Sequence, residues 1–297
     1  MDLLQFEKRM PEEAKMIRLS VEKMVKENDL LRKLNEWHIK EEFPRGEIVR
    51  MFNKAGLLGL DPQIGEEYGC QKVSYLIYGL FCELLGGIGS ALRSFFSVNT
   101  SLVRSAIFKF GSDWQKDTYL KLLSDGSYIG CFGLTGAHGG SDPKWMEERA
   151  AVDECKVILN VNKNWITNAT IADIAVVWMQ TGKVGDHKTI RGFIVENRTT
   201  GFKADSIKNK MGLRASDTGM LSFSDCLLRT WQSLLPGTKD GLSAAYANLN
   251  GARYGIGWDA VGIAKACFHE AKEYATHVRK VRDCYNKLIP LIEAPLT

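Results

Sequence analysis

Three stretches of this 297-residue sequence combine residue types and spacings that suit chemistry. CFGLTGAHGGSD, from Cys131 to Asp142, joins a run of strand formers to a loop of threonine, glycines and serine. Such a loop can offer backbone N–H groups and hydroxyls to an anion or to the edge of a heteroaromatic ring, and a plain glycine-rich turn has the same composition. NWITNA, from Asn164 to Ala169, puts Trp165 and Thr167 on one side of a strand, because side chains repeat every two residues. An indole beside a hydroxyl suits a flat polar ring, and it equally suits ordinary sheet packing. Arg93 and Ser97 lie four apart in a helical run, so they share a face and can donate together to one carboxylate, the guanidinium as a fork. The alternative is a surface arginine paired with a nearby acid.

Other constellations carry less. Gly87/Gly89 and Gly255/Gly257 follow no predicted strand and lack the third glycine of a dinucleotide fingerprint, so they read as packing or turn glycines. His269, Glu273 and His277 share a helical face without the second histidine of a zincin motif, which reads as a solvated face. No GxSxG elbow or P-loop occurs, and no metal site is expected. The seven cysteines, at 70, 82, 131, 155, 226, 267 and 284, form no CxxC pair and point to a reducing compartment rather than a disulfide scaffold.

These residues need elements to position them. From Met1 to about Leu123 apolar residues recur at three- and four-residue intervals, as in Ile48, Met51, Phe52 and Leu57, and predict helices. The segment DPQIGEEYG is expected as a surface loop, with a second helical stretch from near Val73. From Gly126, short β-rich runs (YIGCFGL, KVILNV, IADIAVVWM, RGFIVE) alternate with Gly, Asn and Asp clusters and predict an all-β insert. After Pro236-Gly237 one long helix with a small-residue face is expected, packed closely on a neighbour. The expected fold class is therefore α+β, with an N-terminal helical domain over 1–125, a β-barrel or sandwich over 126–236 and the start of a second helical domain over 237–297. The net charge of +4 is spread among interleaved acids and bases, which disfavours nucleic acid. No signal or transit peptide is visible, and no stretch reaches the ~20 apolar residues needed to span a bilayer.

In order along the chain, ALRSFFSVNTSLV, GCFGLTGAHGGSDP, KNWITNA, KMGLRASDTG and LNGARYGIGW resemble the acyl-CoA dehydrogenase family, and the first is similar to the glutaryl-CoA type. The resemblance runs from about residue 40 to residue 275. It implies FAD held by Phe132, Gly133, Leu134, Thr135, Gly140 and Ser141 in the loop and by Trp165, Ile166 and Thr167 in the strand. Thr135 would face the pyrimidine edge, Thr167 would hydrogen-bond flavin N5, and Trp165 would pack on the ring. For the acyl-CoA it implies Ser141, Tyr246, Leu249, Asn250 and Arg253, with Arg93, Ser94 and Ser97 around the distal carboxylate of a dicarboxylyl tail. It also implies α-proton removal by a carboxylate, β-hydride transfer to flavin N5, decarboxylation in the glutaryl type, electron-transferring flavoprotein as acceptor, and a homotetramer. The location would be cytoplasmic in a bacterium or the mitochondrial matrix in a eukaryote.

The sequence departs from that pattern at several points. The family's Tyr-Glu-Gly base segment does not occur, so the resemblance implies a catalytic base beyond Thr297. Ala252 stands where some relatives carry the base, just before Arg253. Glu270 and Glu273 lie about 25–30 Å further along a helix and do not substitute for it. Val278 takes the place of an arginine that reaches a neighbouring flavin, Arg279 is one off register, and the tail LIPLIEAPLT has no family counterpart. Gly136-Ala137 replaces Glu-Pro, and Val161 replaces a hairpin glycine, where backbone strain is expected. The expectation is a truncated, frameshifted or alternatively spliced product that leaves an apolar face of its long helix exposed, binds flavin weakly and associates non-specifically. The competing readings are a short-chain acyl-CoA dehydrogenase or oxidase, and an inactive binding module that keeps part of the flavin and acyl-CoA sites.

Overall fold

The computed structural model describes residues 10–277 apart from Gly139. The readings of Val278, Arg279, Cys284 and the tail to Thr297, with the base expected beyond Thr297, therefore lie outside the described residues. Among the described residues three helices come first: α1 (Glu12–Glu27), α2 (Leu30–Lys40) and α3 (Arg45–Lys54). In α1 the buried residues Ala14, Ile17, Val21 and Met24 follow the three-four spacing of a one-sided helix. Gly56, at φ 68°, releases the chain from α3 in the left-handed conformation that favours glycine.

DPQIGEEYG is a loop with Glu66, Glu67 and Gly69 exposed, as expected, but it is anchored: the two-residue strands β1 (Leu60–Asp61) and β2 (Gln71–Lys72) pair across its ends, and Ile64 within it is buried. Asp61 explains the inward turn: its Oδ1 accepts the Gln63 and Ile64 N–H groups at 2.9 and 3.0 Å, and its Oδ2 lies 3.4 Å from Nε of the fully buried Arg104. Desolvation pushes this carboxyl up, with Arg104 opposing.

Arg104 belongs to a continuous helical run, α4 (Tyr75–Ser97), a π-helical stretch (Val98–Arg104) and α5 (Ser105–Phe110). At 36 residues this run is long and apolar enough to cross a membrane, contrary to expectation, yet it is largely buried within the protein. It carries Glu83, Arg93 and Arg104, each buried, as the core helix of this fold. Gly89 leaves helical geometry and kinks α4 against Leu34. A capping box at Ser112 and Gln115 then opens α6 (Asp113–Ser124).

The β region has two open sheets, a sandwich rather than a closed barrel. β3 (Gly130–Gly133), β6 (Ile174–Gln180) and β7 (Ile190–Glu196) form one in the order β3-β6-β7. β4 (Ala150–Val152), β5 (Lys156–Thr167), β9 (Thr218–Arg229) and β8 (Phe202–Ser206) form the other in the order β4-β5-β9-β8. Every residue of β6 is buried because both its faces are covered. Ile174, Val176 and Trp178 join the core that includes α5 and α6, while Ala175, Val177 and Met179 meet the second sheet. Val161 pairs with Phe223 inside β5, at no hairpin and with negative φ, so the expected strain is absent. The extra residue at that point lies on β9, where Asp225 adopts φ 51°.

After a short helix α7 (Thr230–Ser233), α8 (Leu242–His277) runs for 36 residues. Its buried positions Ala245, Asn248, Ala252, Gly255, Asp259 and Gly262 form a stripe at alternating three- and four-residue steps, as its small-residue face predicts. The stripe lies on α4 so closely that a Cβ on Gly262 would sit 2.0 Å from the Glu83 carbonyl oxygen, and one on Gly79 would sit 2.3 Å from Trp258 Nε1. Ile256, Val261, Ile263, Phe268 and Tyr274 remain exposed.

Candidate functional site

A cleft of about 360 Å³ opens where the loop after β3, the end of β5, the π-helical stretch and the first turns of α8 meet. From the loop side it is lined by Phe132, Leu134, Thr135, Gly140 and Ser141, and from β5 by Trp165, Ile166 and Thr167. Tyr246, Leu249 and Arg253 contribute from α8. The two sequence stretches therefore share one cavity, and the Asn164 N–H donates to the Thr135 carbonyl at 2.9 Å to join them. Gly133 is the exception among the expected loop residues. It is buried at the end of β3 against Val177 and Lys163, with no cleft surface.

Trp165 reaches the cleft by a route that simple alternation does not predict. Between Lys163/Leu221 and Ile166/Gly219, β5 advances three residues while β9 advances two, which is a β-bulge. Regular alternation would turn Trp165 inward beside Lys163. The bulge puts Trp165 at φ 60°, in the left-handed region, and leaves the residue 64% exposed at the cleft while Ile166 turns inward. A bulky residue held in that region is strained, and such strain gathers at ligand sites.

The residues expected around a distal carboxylate are not brought to the cleft wall. Arg93, Ser94 and Ser97 are buried and absent from its lining, where Val98 and Leu102 stand instead. Arg93 Nη2 lies 3.2 Å from Asp259 Oδ2, while Ser97 Oγ lies 3.0 Å from Ser101 Oγ. The shared donor face is thus divided, because α8 supplies an internal acid that has taken the guanidinium. Asn250 also stays off the wall and accepts the Arg253 guanidinium at 2.9 Å.

Sequence reading missed Lys163 and Glu148. Lys163 is fully buried behind the loop, donates to the Leu134 carbonyl at 3.1 Å and stands 3.9 Å from Glu148 Oε2. Burial pushes its ammonium pKa down to about 8, with Glu148 opposing. A signal existed: Val157, Leu159 and Lys163 fall on one parity of β5, which put a lysine at a core position. The loop KMGLRASDTG lies elsewhere, in a second cleft with Glu41, where Arg214 pairs with Glu41 and Lys210 donates to the Ser216 carbonyl and Thr218. His269, Glu273 and His277 are exposed, and no metal-holding group of acids, histidines and cysteines occurs among the described residues.

The cleft fits a flat polar ring system. It has the indole of Trp165 and the phenyl ring of Phe132 for contact, the hydroxyls of Thr135, Ser141 and Thr167 for heteroatoms beside that of Tyr246 on the α8 side, and at Gly140 a surface with only Thr135 Cγ2 near a notional Cβ, at 3.7 Å. Its lining contains no Asp or Glu among the described residues, and a base beyond Thr297 would lie outside them.

Comparison with known proteins identifies the family of the fold. Residues 11–127 match the profile of the acyl-CoA dehydrogenase N-terminal domain, and residues 131–226 that of the acyl-CoA dehydrogenase middle domain. An acyl-CoA dehydrogenase of Bacillus subtilis is 34% identical over 79% of this chain and 61% of its own length. The mitochondrial short-chain specific acyl-CoA dehydrogenase of Homo sapiens is 34% identical over 78% of this chain and 56% of its own. The chain thus spans about three-fifths of the length of these relatives. Among solved structures, a glutaryl-CoA dehydrogenase of Mycobacterium smegmatis in complex with FADH2 superposes with a TM-score of 0.85 at 36% identity, over 94% of this chain and 69% of that one.

Proposed function

Since this chain belongs to the acyl-CoA dehydrogenase family, we propose that its cleft holds FAD and a short acyl-CoA thioester for α,β-dehydrogenation. The observation that carries this reading is the convergence of the Thr135–Ser141 loop and the bulged Trp165–Thr167 strand on one cavity.

Bound there, FAD would supply the hydride acceptor. Leu134, Thr135, Gly140 and Ser141 would hold the polar edge of its ring, with Thr135 toward the pyrimidine side. The Thr167 hydroxyl would donate at the N5 edge and so orient the ring, and Trp165 would cover it from water. Phe132 and Ile166 would pack at the ring's apolar rim. Tyr246, Leu249 and Arg253 line the α8 side and would order the thioester, with Ser141 shared between the two ligands and Asn250 holding Arg253 in place. Removal of the α-proton needs a carboxylate within hydrogen-bond reach of the α-carbon. The described cleft lining has none, and Ala252 supplies none, so this chain's own described residues bind and orient while the base comes from outside them.

For the acyl tail, the Arg93–Asp259 pair favours a short uncharged chain, since this buried cation already has its anion. A dicarboxylyl tail of glutaryl type is the second reading, favoured by the segment Ala91–Val103 with Arg93, Ser94 and Ser97. Electron-transferring flavoprotein as acceptor, a homotetramer, and a bacterial cytoplasmic or mitochondrial matrix location complete the proposal.

Titration of the purified chain with FAD, followed by flavin fluorescence, tests the cofactor. Saturable binding weakened by Thr167→Ala is expected, and no saturable binding would remove the reading. Anaerobic addition of butyryl-CoA or glutaryl-CoA to the flavin-loaded chain then separates an enzyme, which bleaches its flavin, from a binding module, which does not.

A further inference from the structure

Behind the loop wall of the cleft stand two charged side chains that the proposed chemistry does not use. Lys163 Nζ donates to the Leu134 carbonyl at 3.1 Å and touches Met146 Sδ at 3.5 Å. Glu148 Oε2 stands 3.9 Å from that ammonium without a direct hydrogen bond, and Glu148 Oε1 accepts the Ala137 N–H at 2.8 Å. Residues 134 and 137 bracket Thr135, so each end of the turn that presents Thr135 is tied to one member of a buried ion pair. The carboxylate has room because residue 136 is glycine: a Cβ there would lie 1.8 Å from Glu148 Oε1. From the strands packed against it, Lys163 meets Gly133, Val177 and its β9 register partner Leu221, none of them titratable, and the charged group facing it is Glu148.

A buried ion pair adds little net stability compared with an apolar pair of the same volume. What it supplies, and an apolar pair does not, is directional attachment at two points of the turn. We propose that Lys163 and Glu148 are positioning residues, a buried clamp that fixes the 134–137 turn with Thr135 toward the cleft and thereby sets the affinity for the flavin. This rests on the reading of the cleft as a flavin site. The clamp is tightest while Lys163 is charged, and its ammonium loses its proton near pH 8.

The full chain, K163M, E148Q and the conservative K163R are compared in two measurements. Without flavin, amide hydrogen exchange at Ala137 is expected to quicken in E148Q and K163M. With FAD, both variants should bind about tenfold more weakly and K163R should recover most of the affinity, as for a site loosened from behind. Wild-type FAD affinity should fall as pH rises through about 8, and the K163M profile should be flat there, a response that a merely structural lysine would not give. Should K163M fail to fold, E148Q and K163R carry both measurements. Unchanged Ala137 exchange together with FAD affinity within about twofold of wild type would overturn the clamp. Altered exchange with no FAD binding by the wild type would instead support the clamp and remove the flavin reading.

Discussion

Asp259 of α8 reaches Arg93 of α4 at 3.2 Å, and the same carboxylate accepts the Ser90 hydroxyl at 3.1 and 3.3 Å, so the arginine that sequence assigns to a ligand is held by the protein itself. The two side chains are only 10% and 7% exposed. Room for the carboxylate comes from Gly86, where a Cβ would lie 2.6 Å from Asp259 Oδ1. Arg93 Nε has no hydrogen-bond partner, so the guanidinium is incompletely satisfied.

Removing the acid should therefore expose a buried cation. Asp259→Ala is expected to cost about 3 kcal/mol in urea unfolding, because an unpaired buried charge costs more than its pair contributed. Arg93→Leu in the same chain should recover much of that loss. Because Asp259 already supplies the anion of Arg93, its removal frees the guanidinium, so D259A should also raise the affinity for glutaryl-CoA relative to butyryl-CoA, measured by calorimetry.

The α4–α8 contact leaves no room for a methyl group. Gly262→Ala, with its new Cβ 2.0 Å from the Glu83 carbonyl oxygen, should destabilise by about 1–3 kcal/mol as an overpacked contact between rigid backbones. Gly257→Ala on the same helix has nothing within 4 Å of the new Cβ and should be neutral or slightly stabilising. Denaturation midpoints of the two variants make the comparison.

Trp165 should show stability and binding moving in opposite directions. The residue is 64% exposed and its φ is 60°. Trp165→Gly is expected to stabilise the chain by about 1 kcal/mol, by relieving a left-handed backbone that only glycine adopts freely. The same substitution removes the ring that would cover the flavin, so FAD affinity should fall.

Lys163 makes stability depend on alkaline pH. Its pKa is about 8 in the fold against an ordinary 10.5. Below pH 8 both states carry the proton and the fold bears the full cost of burying the charge. Between pH 8 and 10.5 the unfolded chain binds more protons than the folded one, so stability rises with pH. The difference of 2.5 corresponds to a gain of about 3 kcal/mol across that window, an upper bound that relaxation around the ammonium would reduce. Urea unfolding at pH 8 and pH 10.5 should show the gain in wild type, and K163M should lack it.

Periodicity alone determined the helix-sheet-helix order, and the one-sided spacing of α1 and the small-residue stripe of α8 were legible because each is a local property of a repeating backbone. The composition of the two cleft stretches was legible for the same reason, since Thr135, Ser141, Trp165 and Thr167 announce themselves by type and spacing. Tertiary structure decided what depends on residues far apart in the chain. The bulge that turns Trp165 outward is a mismatch between β5 and β9, which neither strand encodes by itself. The partner of Arg93 lies 166 residues away, and that of Asp61 lies 43 away at Arg104, so helix-face geometry could show what Arg93 was able to do but not which carboxylate would reach it first. Hydrophobic patterning acts along one element, whereas the pairing of buried charges is settled only when two elements pack.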